Sequence, residues 1–283
     1  MRRNTLLVVF FLLSTITTAV EQDSTFNKWE PKLLSELNLS QIAFSNWSKG
    51  GESSFSFTLK FNWEMKYKSS NNWIFSNKFF AEAGRTKINP GIIKTTANEM
   101  SNVTILKFNI SDRYESPFVS FLIRTPITNG FDYKVTPEKI ISGFFDPGYL
   151  TQTMGIFYSR TKVFKTRLGF AFEESFANEF AKRYTDDSKT TEIEYFKFET
   201  GIESVSHLIL PLDKDISYKG TLRLFSGFDR LKVWDVIWNN SITAKFNNWF
   251  NVNFQFLLVY NAKESINTQM QESIQIGFVY DFL

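Results

Sequence analysis

The sequence predicts an all-β protein: a transmembrane, antiparallel, up-and-down β-barrel of about twelve strands with both termini on the periplasmic side. Three observations carry that prediction. Segments of strict period-two alternation run well beyond the ~5–6 residues usual for globular strands, and each has one apolar and one polar face. The stretches between them alternate between tight and long, as in outer-membrane barrels with short periplasmic turns and longer outer loops. Aromatic content is high, with 32 Phe, 7 Trp and 10 Tyr in 283 residues. A lipid-facing wall with aromatic girdles uses such rings directly, whereas a soluble domain of this size has too little interior for them.

At the N-terminus Arg2 and Arg3 precede the apolar run Leu6 to Leu13, and Thr17-Thr18-Ala19 has a small-x-small form. Residues 1–19 therefore read as a secretory signal peptide cut after Ala19. The run is too short for a membrane helix, which needs about 20 apolar residues. Residues 20–31 read as a periplasmic lead-in and 32–283 as the barrel. The chain has no cysteine, which excludes disulfides and thiolate chemistry.

The clearest strand is Ser54 to Lys68, where Phe55, Phe57, Leu59, Phe61, Trp63, Met65 and Tyr67 alternate with Ser56, Thr58, Lys60, Asn62, Glu64 and Lys66. The same period marks Phe250 to Tyr260, Ile274 to Phe282, Trp234 to Phe246, Leu106 to Ile110 and Val119 to Ile123. Weaker alternation marks 32–45, 73–86, 150–160, 164–180, 190–206 and 216–229. In the first of these, Leu37 and Leu39 occupy one parity while Ile42 and Phe44 occupy the other. The stretches 69–72, 114–117, 161–163, 207–215 and 247–248 then read as periplasmic turns. Outer loops are expected at 46–52, 87–98, 129–149, 181–189, 230–232 and 262–270; 207–215 is long for a turn and 230–232 short for an outer loop. The final strand places Gln275, Gly277, Tyr280 and Phe282 in a polar-x-Gly-x-x-aromatic-x-aromatic order. That order resembles the β-signal by which barrel-assembly machinery recognises a last strand, so the machinery is an expected partner during biogenesis, alongside outer-membrane lipid and lipopolysaccharide.

Candidate chemistry is sparse. His207 is the one histidine, and it falls beside Leu208-Ile209-Leu210-Pro211 at a strand end. One histidine and no cysteine exclude an ordinary zinc site. Glu173-Glu174 and Asp186-Asp187 are sequence neighbours, so on a strand each pair would point to opposite faces. No metal, no cofactor and no catalytic residue is expected, and a net charge of +3 makes no case for nucleic acid.

The polar faces say more. If they line a lumen, its basic residues are Lys60, Lys66, Lys78, Lys107, Arg124, Arg167, Lys219, Arg223 and Lys245. Together with the other polar-face charges, they give basic residues a majority over acidic ones of roughly two to one by parity. Two readings follow: the charges pair and close the lumen, or the excess leaves a positive path for anions. About twelve strands lie between the filled eight-stranded barrel and the open sixteen-stranded porin, so strand number does not decide. The longest loop contains Phe144, Phe145, Asp146 and Tyr149, which either cap the rim or fold inward as a constriction.

The stretch Trp47-Ser48-Lys49-Gly50-Gly51-Glu52 has the form Trp-x-x-Gly-Gly. It resembles the signature of an uncharacterised family of predicted outer-membrane proteins of Bacteroidota and related phyla. Weaker matches are Ile141 to Phe144, Pro147 to Leu150 and Asp235 to Asn240. The resemblance implies a location and a barrel, and brings no catalytic residues. In it Gly50 and Gly51 let a hairpin turn sharply, while Trp47 anchors at an interface. The leading expectation is a passive small-solute or anion channel, or a structural barrel, and not an enzyme. An outer-membrane hydrolase, a surface receptor or adhesin working through 129–149, and a soluble sandwich are the alternatives.

Overall fold

The structure, a computed structural model, describes residues 27–43, 52–88, 91–110, 115–159, 161–186, 191–261 and 267–283. The expected signal peptide and Trp47, Gly50 and Gly51 lie outside the described residues; Glu52 is described and exposed.

Twelve antiparallel strands close one barrel. They are β1 (Lys28–Ile42), β2 (Ser54–Lys68), β3 (Trp73–Ile88), β4 (Ile92–Phe108), β5 (Glu115–Thr125), β8 (Gly148–Tyr158), β9 (Phe164–Phe176), β10 (Phe196–Pro211), β11 (Ile216–Gly227), β12 (Asp235–Lys245), β13 (Phe250–Tyr260) and β14 (Gln269–Asp281). Between β5 and β8, β6 (Gly130–Asp132) and β7 (Lys139–Ser142) form a separate two-stranded sheet, and a helical turn, α1 (Ala181–Tyr184), follows β9. Each barrel strand pairs with its neighbour in the chain's order, and β14 closes on β1 through Leu37–Phe278, Asn38–Gly277 and Leu39–Ile276. Closure gives every barrel strand a partner on both sides, so no strand is left as a sheet edge.

Partners across a ladder share a face. The Lys60–Glu82 and Glu64–Lys78 ion pairs put the polar parity of β2 and β3 inside. Register then carries that assignment round the wall: Thr58, Lys60 and Glu64 face in, while Phe57, Leu59 and Trp63 face out. The result inverts a soluble core. Among the described residues, six hydrophobic side chains are buried against twenty-one polar or charged ones, and outward residues such as Phe170 and Ile274 are 61% and 67% exposed. Outward rings gather at the two ends. Trp29, Tyr67, Trp73 and Phe75 touch at one end, with centroids 4.9–5.8 Å apart; at the other, Phe172–Phe198 and Phe176–Phe196 pack at 6.2 and 5.1 Å.

The strand bounds adjust several expectations, among them the turn expected at 114–117, which moves to 109–114 because β5 already starts at Glu115. The expected turn at 207–215 shrinks to 212–215, because β10 continues through His207 to Pro211 and pairs with β11 along that length. Three successive apolar residues, Leu208 to Leu210, hide the alternation there. The expected loop 87–98 shrinks to 89–91, because β4 starts at Ile92. A register shift between Gly84 and Arg85 breaks the period-two pattern across that hairpin, as a bulge does. The expected strand 190–206 starts at Phe196 instead, which lengthens the preceding connection to 177–195. The barrel therefore has a tight-turn end (69–72, 109–114, 159–163, 212–215 and 246–249), where β1 begins and β14 ends, and a long-loop end. In β1, Leu37 and Leu39 face out and Ile42 lies on the inner parity.

Candidate functional site

The barrel interior is the site, and its charges separate along the axis. Near the tight-turn end the inward positions include Lys66, Lys78, Lys107, Lys165 and Lys219. Their fields overlap across the lumen: Lys107 senses Lys165 and Lys66, and Glu64 senses Lys78, Lys32 and Lys219. Lys66 and Lys78 are 43% and 51% exposed in their side chains, so this end is wet. The pairs Lys78–Glu64 at 2.7 Å, Lys66–Glu30 at 4.0 Å and Lys68–Glu30 at 3.9 Å are solvated; such pairs contribute about 0–1 kcal/mol each. Lys245 lies on the inner parity of β12 at the same end.

Farther from the tight turns the lumen wall of β8–β11 is dry and holds a paired charge cluster around Arg223. Arg223 donates from Nε to Glu203 at 2.7 Å and from one terminal nitrogen to Glu173 at 2.8 Å and Thr151 at 3.2 Å. The second oxygen of Glu203 accepts the Thr153 hydroxyl at 2.6 Å. Glu203 is 1% exposed. The backbones of β8 and β9 meet face to face here at the Gly155–Gly169 pair, where a Cβ on either would run into the opposite strand's carbonyl. One level nearer the long loops, Arg230 leaves the 228–234 connection to bridge Glu199 at 3.3 Å and Asp235 at 2.6 Å.

On the opposite wall Lys60, also buried, holds Glu82 at 3.5 Å. At the β13–β14–β1 seam the Asn253 amide donates to Glu36, to Asn251 at 2.7 Å and to Asn38 at 3.3 Å. Gly277 makes the space for this cluster. A Cβ there would sit 2.8 Å from the Asn38 and Glu36 oxygens and closer still to Asn251. Above it two cavities of about 180 and 280 Å³ lie between β3–β4 and β12–β14, lined by Glu82, Glu99, Gln255, Gln271 and Thr96. Gln271 spans the interior to the Thr96 carbonyl at 3.3 Å. The long-loop half is thus crossed by side chains, while Lys66 and Lys78 in the tight-turn half stay open to solvent.

The residues singled out from the sequence take different places. Lys60 and Arg223 are buried and paired, and Arg124 stacks on the inward Tyr149 ring at 4.8 Å. Arg167 is buried with no ion pair and faces Phe118 at 6.0 Å. Lys107 sits over Phe157 at 4.9 Å. Phe144 is 64% exposed on the rim, and Phe145 packs toward Phe176. Asp146 ties two long loops together: its carboxylate accepts the backbone N–H groups of Asn178 and Glu179 at 2.9 and 2.8 Å. Gln275 reaches Thr58 at 3.4 Å, and the Tyr280 and Phe282 rings touch at 4.5 Å. His207 faces the lumen with Nδ1 3.1 Å from the Thr221 hydroxyl, while Ser204 and Ser206 lie on the opposite parity.

Residues 39–131 match a family described as Protein of unknown function (DUF3078). No curated protein matches the chain. Among solved structures the chain is similar to an outer-membrane channel of Pseudomonas putida F1, at 9% identity over 95% of this chain and 100% of that one, with a TM-score of 0.43. It is also similar to the translocator domain of the autotransporter NalP from Neisseria meningitidis, at 9% identity over 89% and 87% of the two chains, with a TM-score of 0.37. The NanC porin matches at 11% identity over 88% and 100%, with a TM-score of 0.41.

Two features lay beyond sequence reading. Arg230 sits in a connection, and nothing in its neighbourhood marks it as entering the lumen. The seam amides were visible as the polar partners Asn251 and Asn253 of an alternating strand, but their convergence on Glu36 and Asn38 depends on barrel closure.

Proposed function

We propose that the chain is an outer-membrane barrel that passes small solutes, with a preference for anions set by its lysine-rich end. The inside-out distribution of residues carries the membrane part of this reading. The twenty-one buried polar residues among those described and a band of exposed Phe, Leu and Ile bounded by aromatic rings suit a wall with hydrocarbon outside and water inside. In water the same surface would be one continuous apolar patch, far larger than soluble monomers expose. The asymmetry of turns and loops supports tight turns in the periplasm and long loops outside. Outer-membrane lipid and lipopolysaccharide would then be its surroundings, and Gln275, Gly277, Tyr280 and Phe282 its assembly signal. No catalytic group is required.

The anion preference rests on the wet cluster of Lys66, Lys78, Lys107, Lys165 and Lys219, since paired charges in the other half contribute little net field. Refolded protein in a planar bilayer under a salt gradient tests it: step currents with a reversal potential on the anion side are expected. Cation preference would overturn the selectivity. Silence from a sample that still shows heat-modifiable migration would overturn the channel and favour a closed structural barrel, which the side chains crossing the long-loop half would then explain.

A further inference from the structure

Among the described residues, Arg167 stands apart from the other buried charges. Its side chain is 6% exposed, and its Nε is a buried donor with no acceptor. Its one described interaction is with the Phe118 ring at 6.0 Å. A buried guanidinium carries five donors and is ordinarily met by carboxylates. The carboxylate whose field reaches it belongs to Glu203. Both oxygens of Glu203 are already taken, one by Arg223 Nε and the other by Thr153. Glu173 is likewise engaged with Arg223 and Thr151.

What faces Arg167 on the tight-turn side is more positive charge. Lys165 lies two residues along the same face of β9, about 7 Å of strand. The fields of Arg167, Lys78 and Lys165 converge at His207, and Lys165 in turn faces Lys107 and Lys66. The fork of donors and the surplus of ammonium groups lie on one inner face of the wall, with Arg167 on its dry side.

We propose that Arg167 heads an oxyanion-binding site at the inner limit of the lysine-lined vestibule, and that its ligand is a small, multiply charged oxyanion of the phosphate type. The guanidinium supplies paired N–H donors that match two oxygens of such a group. Lys165 and the lysines across the lumen supply the point charges that favour a dianion over chloride. Phe118 and Phe157, whose rings pack edge to face at 6.4 Å, form the dry wall behind the fork. The site deepens the anion-channel reading by naming where the anion pauses and which class it belongs to.

Inorganic phosphate is the probe, at constant ionic strength against chloride, on the full refolded barrel in detergent. Phosphate is expected to raise the thermal midpoint of the wild type by several degrees at millimolar concentration. Arg167→Gln should abolish the rise, and Arg167→Lys, which keeps the charge and loses the fork, should weaken binding roughly tenfold. Lys139→Gln, in β7 at the long-loop end and away from the lysine cluster, should leave it unchanged. In the bilayer, phosphate should reduce chloride current through the wild type and not through Arg167→Gln. An equal midpoint rise in wild type and Arg167→Gln, or none in the wild type, overturns the site whatever the conductance shows. A phosphate-dependent rise in a protein that carries no current would uphold the site and sink the channel. If Arg167→Gln does not fold, Arg167→Lys decides: unaltered affinity overturns the proposal.

Discussion

Arg223 is where removing one atom group should cost the barrel most. Arg223→Met keeps length and volume but takes the paired cation from two carboxylates, Glu203 and Glu173, whose side chains are 1% and 7% exposed. Three hydrogen bonds disappear, at 2.7, 2.8 and 3.2 Å. Bonds to charged groups contribute about 1.5–3 kcal/mol each, so the gross loss is roughly 5–9 kcal/mol. Proton uptake and entering water relieve part of it, and breaking buried pairs of this kind costs about 3–5 kcal/mol net. The assay is urea unfolding from lipid vesicles, followed by the fluorescence of the 7 tryptophans and extrapolated linearly to zero denaturant. A loss of about 3–5 kcal/mol is expected. Adding Glu203→Gln should recover part of it, with a coupling energy of about 1–3 kcal/mol in the double-mutant cycle. A loss under about 1 kcal/mol, or strict additivity of the two substitutions, would refute the claim that these charges are desolvated and mutually dependent.

Replacing Lys66, Lys78, Lys107 and Lys219 together by Gln should move the reversal potential of the bilayer current toward zero, and an unchanged potential would remove the vestibule from selectivity. Asp146→Ala removes the two bonds to Asn178 and Glu179; cleavage within 126–147 and 177–195 by added protease should quicken several-fold while the barrel stays resistant. Gly277→Ala forces a methyl against Asn251, Asn38 and Glu36, an overpacking that costs about 1–3 kcal/mol, read as a smaller heat-modifiable fraction after refolding.

The strands legible in the sequence are those whose two faces see different surroundings along their whole length. β2 and β13 keep strict alternation because every outward residue is apolar and every inward one polar or near the rim. β4 and β10 blur for separate reasons. The Gly84–Arg85 irregularity shifts parity within the β3–β4 hairpin. The tight-turn end of β10 carries Ile209 on the inner parity, where it is exposed and side-chain polarity is weakly constrained. The inward-facing set could be read from parity alone, since parity and register are the same fact seen in one strand or two. Which cations are paired could not, because pairing depends on strands far apart in sequence: Arg223 meets Glu173 and Thr151 from β9 and β8. The loop residue Arg230 had no parity to betray it.

Cation identity follows depth in this lumen. Paired arginine occupies the dry side: Arg223 in the wall, and Arg230 bridging Glu199 and Asp235 from above; Arg167, buried without an acceptor, is the position where the proposed anion would complete the pattern. Lysine occupies the wet end. A guanidinium is weakly hydrated and presents a rigid fork, so it loses little on burial when two acceptors are in reach. An ammonium is strongly hydrated on a flexible stem and is favoured where water remains. Lys60 is the buried exception, and it faces a single carboxylate oxygen at 3.5 Å, for which no fork is needed. The rule separates two kinds of substitution that look alike in sequence. Arg223→Lys should lose most of the stability that Arg223→Met loses, because one ammonium cannot hold Glu203, Glu173 and Thr151 in their present positions. Lys78→Arg should leave both stability and current nearly unchanged.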